Sequence, residues 1–511
     1  MFFVTITVMV HGSTLEELDE NCNILMSKAR KYTSQLQVLT TQQEEAFRVT
    51  LPFGYVPKEM CVERTLTTES TSIFMPFSNQ ELFQTGGFYY GLNQISQNLV
   101  IVNRTKMKTP SGFVLGSSGS GKSFATKREI LNVLLDDDKT GVLVIDPENE
   151  YGDFCRAFGG TVLKISADSD NYINPLDMPR EYGLDEEDDV NNTPLPIMKD
   201  KALKKKSDYI MSIIERMISV GGNENTSSIT PQQKTIVDRA VKATYKEYLE
   251  HDFDPKYQPT LMNLQDELDK EGKLSVEGKQ VAEGVEYYTR GSMDIFAHQT
   301  NVDVSNRFVV FNVRDLGDQL RQIALIIVFD FIWNRMIQNK NSGVRTYCYC
   351  DEIHVMFQSY YSANFLKQLY KRGRKYGMCI TGLTQNVEDL LRSEQARGMI
   401  SNSDFIMMLN QSSEDLKILA GMLNISETQM GYVTGADAGS GLLFAEKVIV
   451  PFVDRFPETS YLYKLMSTRF GEDLDEGELD KEIANIMKNN TTDAPMSDKE
   501  IEQKLQMMYN S

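Results

Sequence analysis

GFVLGSSGSGKSF, residues 112–124, is the stretch whose reading decides the fold. An apolar run, Gly112 to Leu115, enters it, and a helical pattern from Ser123 to Leu135 leaves it. Between them Gly116 to Ser123 fits G-x-x-x-x-G-K-[ST] at every fixed position. Small residues let successive backbone N–H groups turn inward around phosphates, and the helix start adds the positive end of its dipole. Lys122 is placed to reach the β- and γ-phosphates, and the Ser123 hydroxyl to take a position on Mg²⁺. The binding set is therefore Gly116, Ser117, Ser118, Gly119, Ser120, Gly121, Lys122, Ser123 and Phe124.

A loop of this kind needs a strand ending in acid. Val344 to Cys350 reads as that strand, with Asp351 and Glu352 at its end. Asp351 is expected to hold the Mg²⁺ water shell, and Glu352 to be the general base that orients the attacking water. An earlier apolar run, Gly141 to Asp146, reads as a strand buried on both faces of a parallel sheet. It delivers Asp146, Glu148 and Glu150 to the edge where ligands collect in open α/β sheets, although surface solvation explains such acids equally well. After MCITGLT, Gln385 stands where a polar group can sense the γ-phosphate or the lytic water. Four cations crowd residues 371–375, and either a solvated helix end or an arginine donated to the transition state accounts for them. Arg374 is the preferred donor, with Arg372 as its substitute.

At 511 residues the chain has room for several domains, and its formal charge of −19 excludes a generally basic nucleic-acid sleeve. DNA contact would have to come from a local track. Six scattered cysteines show no zinc or disulfide spacing and suit a reducing cytoplasm. Cys348 and Cys350 share a face of a buried strand, where small apolar filler is the plain reading. No run approaches the length of a membrane span. MFFVTITVMV reads as an opening strand with no preamble, as if the chain began inside a domain whose earlier part is missing. A helix from about Thr14 to Tyr32 follows, then SIFMPF, then a hairpin with Phe88, Tyr89 and Tyr90 on one arm. Lysines 199, 201, 204, 205 and 206 form a charge run whose ordinary explanation is a solvated face.

In this order the pieces resemble the ATPases of conjugative type IV secretion systems, the VirB-four type, within the RecA-like HerA/FtsK class of P-loop motors. The resemblance rests on FFVTITV, GGFYYGLN, GFVLGSSGSGKS, DPENEY with INPLD, CYCDEIH, GRKYGMCITGLTQN, SNSDFIMMLNQ and GSGLLFAEKVIVPF, and so spans almost the whole chain. It implies an α/β RecA-like fold with a mostly parallel central sheet, ATP hydrolysis with Mg²⁺, a homo-hexamer, and work with other secretion components at the cytoplasmic face of the cell membrane. The implied organisation is a truncated N-terminal α/β domain over 1–95, the first part of the ATPase core over 96–180 and a helical insertion over 181–300. The second part of the core spans 301–470, and an acidic polar tail 471–511. Roles carry over where motifs match: Lys122, Ser123, Asp351, Glu352, Gln385 and Arg374. Two competing readings remain, a DNA translocase or coupling protein of the same motor class and an ATP-binding assembly switch with negligible turnover.

Overall fold

The computed structural model describes residues 2–32, 34–51, 54, 64–72, 80–166, 169–184, 193–218, 229–358 and 360–468. SIFMPF beyond Ser72, most of the acidic stretch LDEEDDVNN (184–192) and the acidic tail lie outside the described residues. The chain divides into two compact units, 1–79 and 80–511. In the first, β1 (Phe2–Val4) pairs antiparallel with β2 (Arg64–Leu66). The opening strand is thus shorter than MFFVTITVMV suggests, since the strand pairing covers residues 2–4. The helix Leu15–Lys31 forms as its periodicity predicts, and the Thr14 hydroxyl accepts from the Glu17 N–H to close its first turn.

The second unit carries an 11-stranded sheet. In chain order its strands are β3 (Phe88–Asn93), β4 (Leu99–Val102), β5 (Gly112–Leu115), β6 (Gly141–Asp146), β7 (Thr161–Lys164) and β8 (Phe308–Asn312). β9 (Thr346–Cys350), β10 (Met378–Thr384), β11 (Phe405–Met408), β12 (Ser440–Ala445) and β13 (Val448–Val453) complete it. The spatial order is β4-β3-β13-β12-β11-β5-β10-β9-β6-β8-β7. From β11 to β7 every pairing is parallel, while β12, β13, β3 and β4 are antiparallel. The hairpin 88–102 is therefore an edge of the large sheet, and the division at 79/80 falls ahead of the boundary near 95 expected from sequence.

Every residue of β5, β6, β8, β9, β10 and β11 is buried, as strands covered on both faces require. The two-residue period sorts their side chains into separate cores. Phe113, Leu143, Val309 and Cys348 face one, and Val114, Val142, Phe308 and Tyr347 the other. Cys348 and Cys350 are buried free thiols on the first face, the filler that their spacing suggested.

Between β7 and β8 the chain makes the helices Leu195–Ile218, Pro231–Thr244, Lys246–Glu250, Leu261–Gly272 and Val276–Glu286. Their apolar faces join the first core, so the insertion packs on the sheet's own body. The first of these helices, Leu195–Ile218, takes in the lysine run. Lys206 departs from the solvated-face reading: it is buried, 3.0 Å from Asp330, and lies over the rings of Tyr182 and Tyr209.

One buried ion pair fixes the sheet to the helix that follows the phosphate loop. Arg104, 1% exposed, donates to Glu129 at 2.7 Å, to Thr381 Oγ1 at 2.8 Å, and to the carbonyls of Pro110 and Ile380. All five guanidinium N–H groups are thereby used. The Tyr90 hydroxyl donates to the same Glu129 oxygen at 2.9 Å. Removing one member leaves the other charge in a dry interior, so Arg104→Met should destabilise the fold by about 3–5 kcal/mol. Urea unfolding of Arg104→Met, Glu129→Gln and the double variant checks this. The double variant should recover part of the loss, and strict additivity would show that the pair acts independently.

Candidate active site

The phosphate loop leaves β5 at the C-terminal edge of the parallel strands, where β10 ends in step with it, Thr384 beside Leu115. The Gly116 N–H donates to the Thr384 carbonyl at 3.3 Å, and the Ser117 N–H to the Asn410 carbonyl at 2.8 Å. Both ends of the loop are thus stitched to neighbouring strands. Gly119 (φ +76°) and Gly121 (φ +93°) take left-handed backbone, which a Cβ would strain, and Gly121 starts the helix Lys122–Asp136.

β9 brings the acids to the same edge. Asp351 and Glu352 are both buried, and Lys122 Nζ lies 3.9 Å from Glu352 Oε1. Glu352 has φ +42°, an unusual conformation for a side chain of its size. Its N–H donates to Asp351 Oδ1 at 2.9 Å. His354 Nδ1 is 3.1 Å from Glu352 Oε2 and makes a 3.0 Å hydrogen bond with Thr384 Oγ1. The histidine therefore links the acidic strand end to β10, whose last residue precedes Gln385.

The acids crowd one another. Burial first, then the charges of Glu150 and Glu352, hold the Asp351 carboxyl well above the usual carboxylate range. Glu150 Oε2 is buried and forms no hydrogen bond among the described residues. Asp146 has a different task from the one its position suggests: its oxygens accept from the N–H groups of Glu150 and Tyr151, each at 2.9 Å, and shape the DPENEY turn. Glu148 and Glu150 remain to face the cavity. No cluster of three or more carboxylate, histidine or thiol groups able to cage a metal occurs among the described residues. A hydroxyl, one or two buried carboxylates and phosphate oxygens are nevertheless what Mg²⁺ uses beside a triphosphate, because it keeps several waters. Ser123 and Asp351 fit that donor set, and a cation would offset the burial and carboxylate crowding that disfavour the charged form of Asp351.

A cavity of about 870 Å³ opens over these groups. Loop residues Ser117, Ser118, Gly119, Gly121, Lys122, Ser123 and Phe124 line it together with Asp351, Glu352 and Gln385. Gly116 lies at the strand end beneath, and Ser120 is buried with its hydroxyl making no hydrogen bond among the described residues. Arg372 and Arg374 do not join the group. They are exposed at the 3₁₀ turn Gly373–Tyr376, which precedes β10. Seven strand residues separate that turn from the edge with the loop, a span of about 20 Å at the usual rise. Sequence reasoning missed the opposite wall, built by the segment after β13, including Asp454, Phe456 and Tyr463. Nothing local in FPETSYLY signals a nucleotide; its place follows only from the antiparallel return of β12 and β13.

Among the described residues no helix is long and apolar enough to cross a membrane. No curated protein matches the chain significantly. Among solved structures, VirB4 of Thermoanaerobacter pseudethanolicus is similar at 22% identity, with 74% of this chain and 98% of that one covered and a TM-score of 0.61. Plasmid coupling protein TrwB, in complex with ADP and Mg²⁺, aligns at 12% identity over 69% of this chain and 87% of that one, at a TM-score of 0.42 that is too low to carry weight. The first likeness agrees with a RecA-like reading of the mostly parallel sheet. The TraG P-loop domain model matches residues 94–438, more than half of the sequence and all of the loop and acid apparatus described above, and the chain belongs to that family.

Proposed function

We propose that the chain is an ATP-hydrolysing motor subunit of a conjugative type IV secretion system. The observation that carries this reading is the approach of Lys122 to Glu352, 3.9 Å apart at the mouth of a phosphate loop. Loop N–H groups and Lys122 hold the β- and γ-phosphates, while Ser123 and Asp351 would hold Mg²⁺. There Mg²⁺ would supply neutralisation of charge on the phosphate oxygens. Once a phosphate takes the Lys122 ammonium, the Glu352 carboxylate is released to accept a proton from the attacking water. Gln385 hydrogen-bonds the γ-phosphate or that water. Arg374 serves the cavity of a neighbouring copy, which its distance from its own cavity favours, and turnover becomes movement within a homo-hexamer.

The family membership and the likeness to VirB4 support a place among the secretion components at the cytoplasmic face of the membrane. The net charge of −19 weighs against a DNA sleeve. The test is phosphate release over many turnovers, with and without Mg²⁺, alongside particle size with and without ATP. Mg²⁺-dependent turnover and growth from monomer to hexamer are expected. One nucleotide bound per chain with no further turnover would reduce the protein to an assembly switch. Stimulation by DNA of any sequence, lost steeply with salt, would make it a translocase instead.

A further inference from the structure

The cavity extends well past the groups that a triphosphate needs. Phe124, in the first turn of the loop helix, packs against Phe456 and Tyr463 with ring centroids 5.9 Å and 5.3 Å away. Both partners belong to the segment that follows β13. That segment is fastened to the loop helix at two points: Arg128 pairs with Asp454 at 2.8 Å, and Lys127 Nζ donates to the Met466 carbonyl at 3.2 Å. The Arg128 guanidinium also lies over the Phe456 ring, 4.8 Å from its centroid.

Rings that serve only as core would be sealed by neighbours. These three are part-buried, and each lines the cavity. The volume of about 870 Å³ is within the range of sites that enclose a whole small molecule, and the phosphate loop accounts for one end of it. What remains lies beside the first turn of the helix, where the rings of Phe124, Phe456 and Tyr463 line it among charged neighbours that include Arg128, Asp454 and Arg455.

We propose that this aromatic wall is the purine-base subsite of the nucleotide, with the base stacked on Phe456 and Tyr463 beside Phe124. The proposal rests on the ATP-binding reading above and adds where the base goes. Stacking reads a base as a flat π-surface and needs no hydrogen-bond code, so the wall supplies affinity with little choice between purines. It also makes the segment 454–468 part of the binding site: a seated base holds the segment down, and a seated segment holds the base.

Titration calorimetry on the full chain with two probes, ATP and inorganic tripolyphosphate, separates base from phosphate. Phe456→Leu keeps apolar bulk against Phe124 but removes the ring, and should weaken ATP about tenfold while leaving tripolyphosphate unchanged. Tyr463→Leu should act in the same direction. In the unmodified protein, irradiation with azido-ATP should label a peptide within 454–468, a readout independent of any variant's folding. Equal weakening of both probes, unchanged ATP affinity in both variants, or label placed elsewhere would overturn the subsite. Failure of the unmodified protein to bind either probe would instead remove the ATP-binding reading itself.

Discussion

Glu352→Gln binds ATP at least as tightly as the unmodified protein and turns it over about a hundred- to ten-thousandfold more slowly, the range that a general base contributes. The amide keeps the size of the side chain but cannot take a proton from water. Its effect on binding has the opposite sign to its effect on rate. Glu352 Oε1 stands 3.9 Å from Lys122 Nζ and competes with phosphate for that ammonium, and its charge also adds to the acid crowding around Asp351. Removing the charge frees the lysine and lowers the repulsion felt by an incoming triphosphate. Calorimetric affinity and phosphate release, measured on one preparation, check both halves. Turnover within twofold of the unmodified protein would show that another group activates the water.

Arg374→Ala, assembled alone, should lose hydrolysis by a comparable factor and keep its ATP affinity. The physical reason is position: the residue lies exposed before β10, at the far end of the strand from the cavity. It can steady the transition state only from a neighbouring copy. Mixing then gives a sharp expectation. In an equal mixture of Arg374→Ala and Glu352→Gln, a junction works when an intact Glu352 meets an intact Arg374 from next door. Random assembly makes that about one junction in four, so about a quarter of normal turnover should return from two silent variants. The same mixture with Arg372→Ala in place of Arg374→Ala discriminates between the two arginines. No recovery in either mixture would leave the donated-arginine role without support.

The parts legible in the sequence were those whose cause is local. GFVL, GVLVID and MCITGLT are apolar runs that can form only buried strands, and each became one. The loop and the Asp351-Glu352 pair were readable because their spacing is dictated by phosphate geometry and by the end of a strand. Arg104 was not, since its partners Glu129 and Thr381 come from different elements and nothing in NRTK marks a buried cation. Lys206 was hidden within a run of lysines that otherwise reads as solvated. The aromatic wall escaped for the same reason: Phe124 meets Phe456 and Tyr463 only after the sheet has folded back through β12 and β13.

The backbone at Glu352 carries a last consequence. A φ of +42° suits glycine or asparagine better than glutamate, at a cost on the order of 1 kcal/mol. Selection for heat resistance alone would drift toward those residues and, with the proposed general base lost, silence turnover. Thermal hardening of this protein therefore has to be sought elsewhere, with that position held fixed.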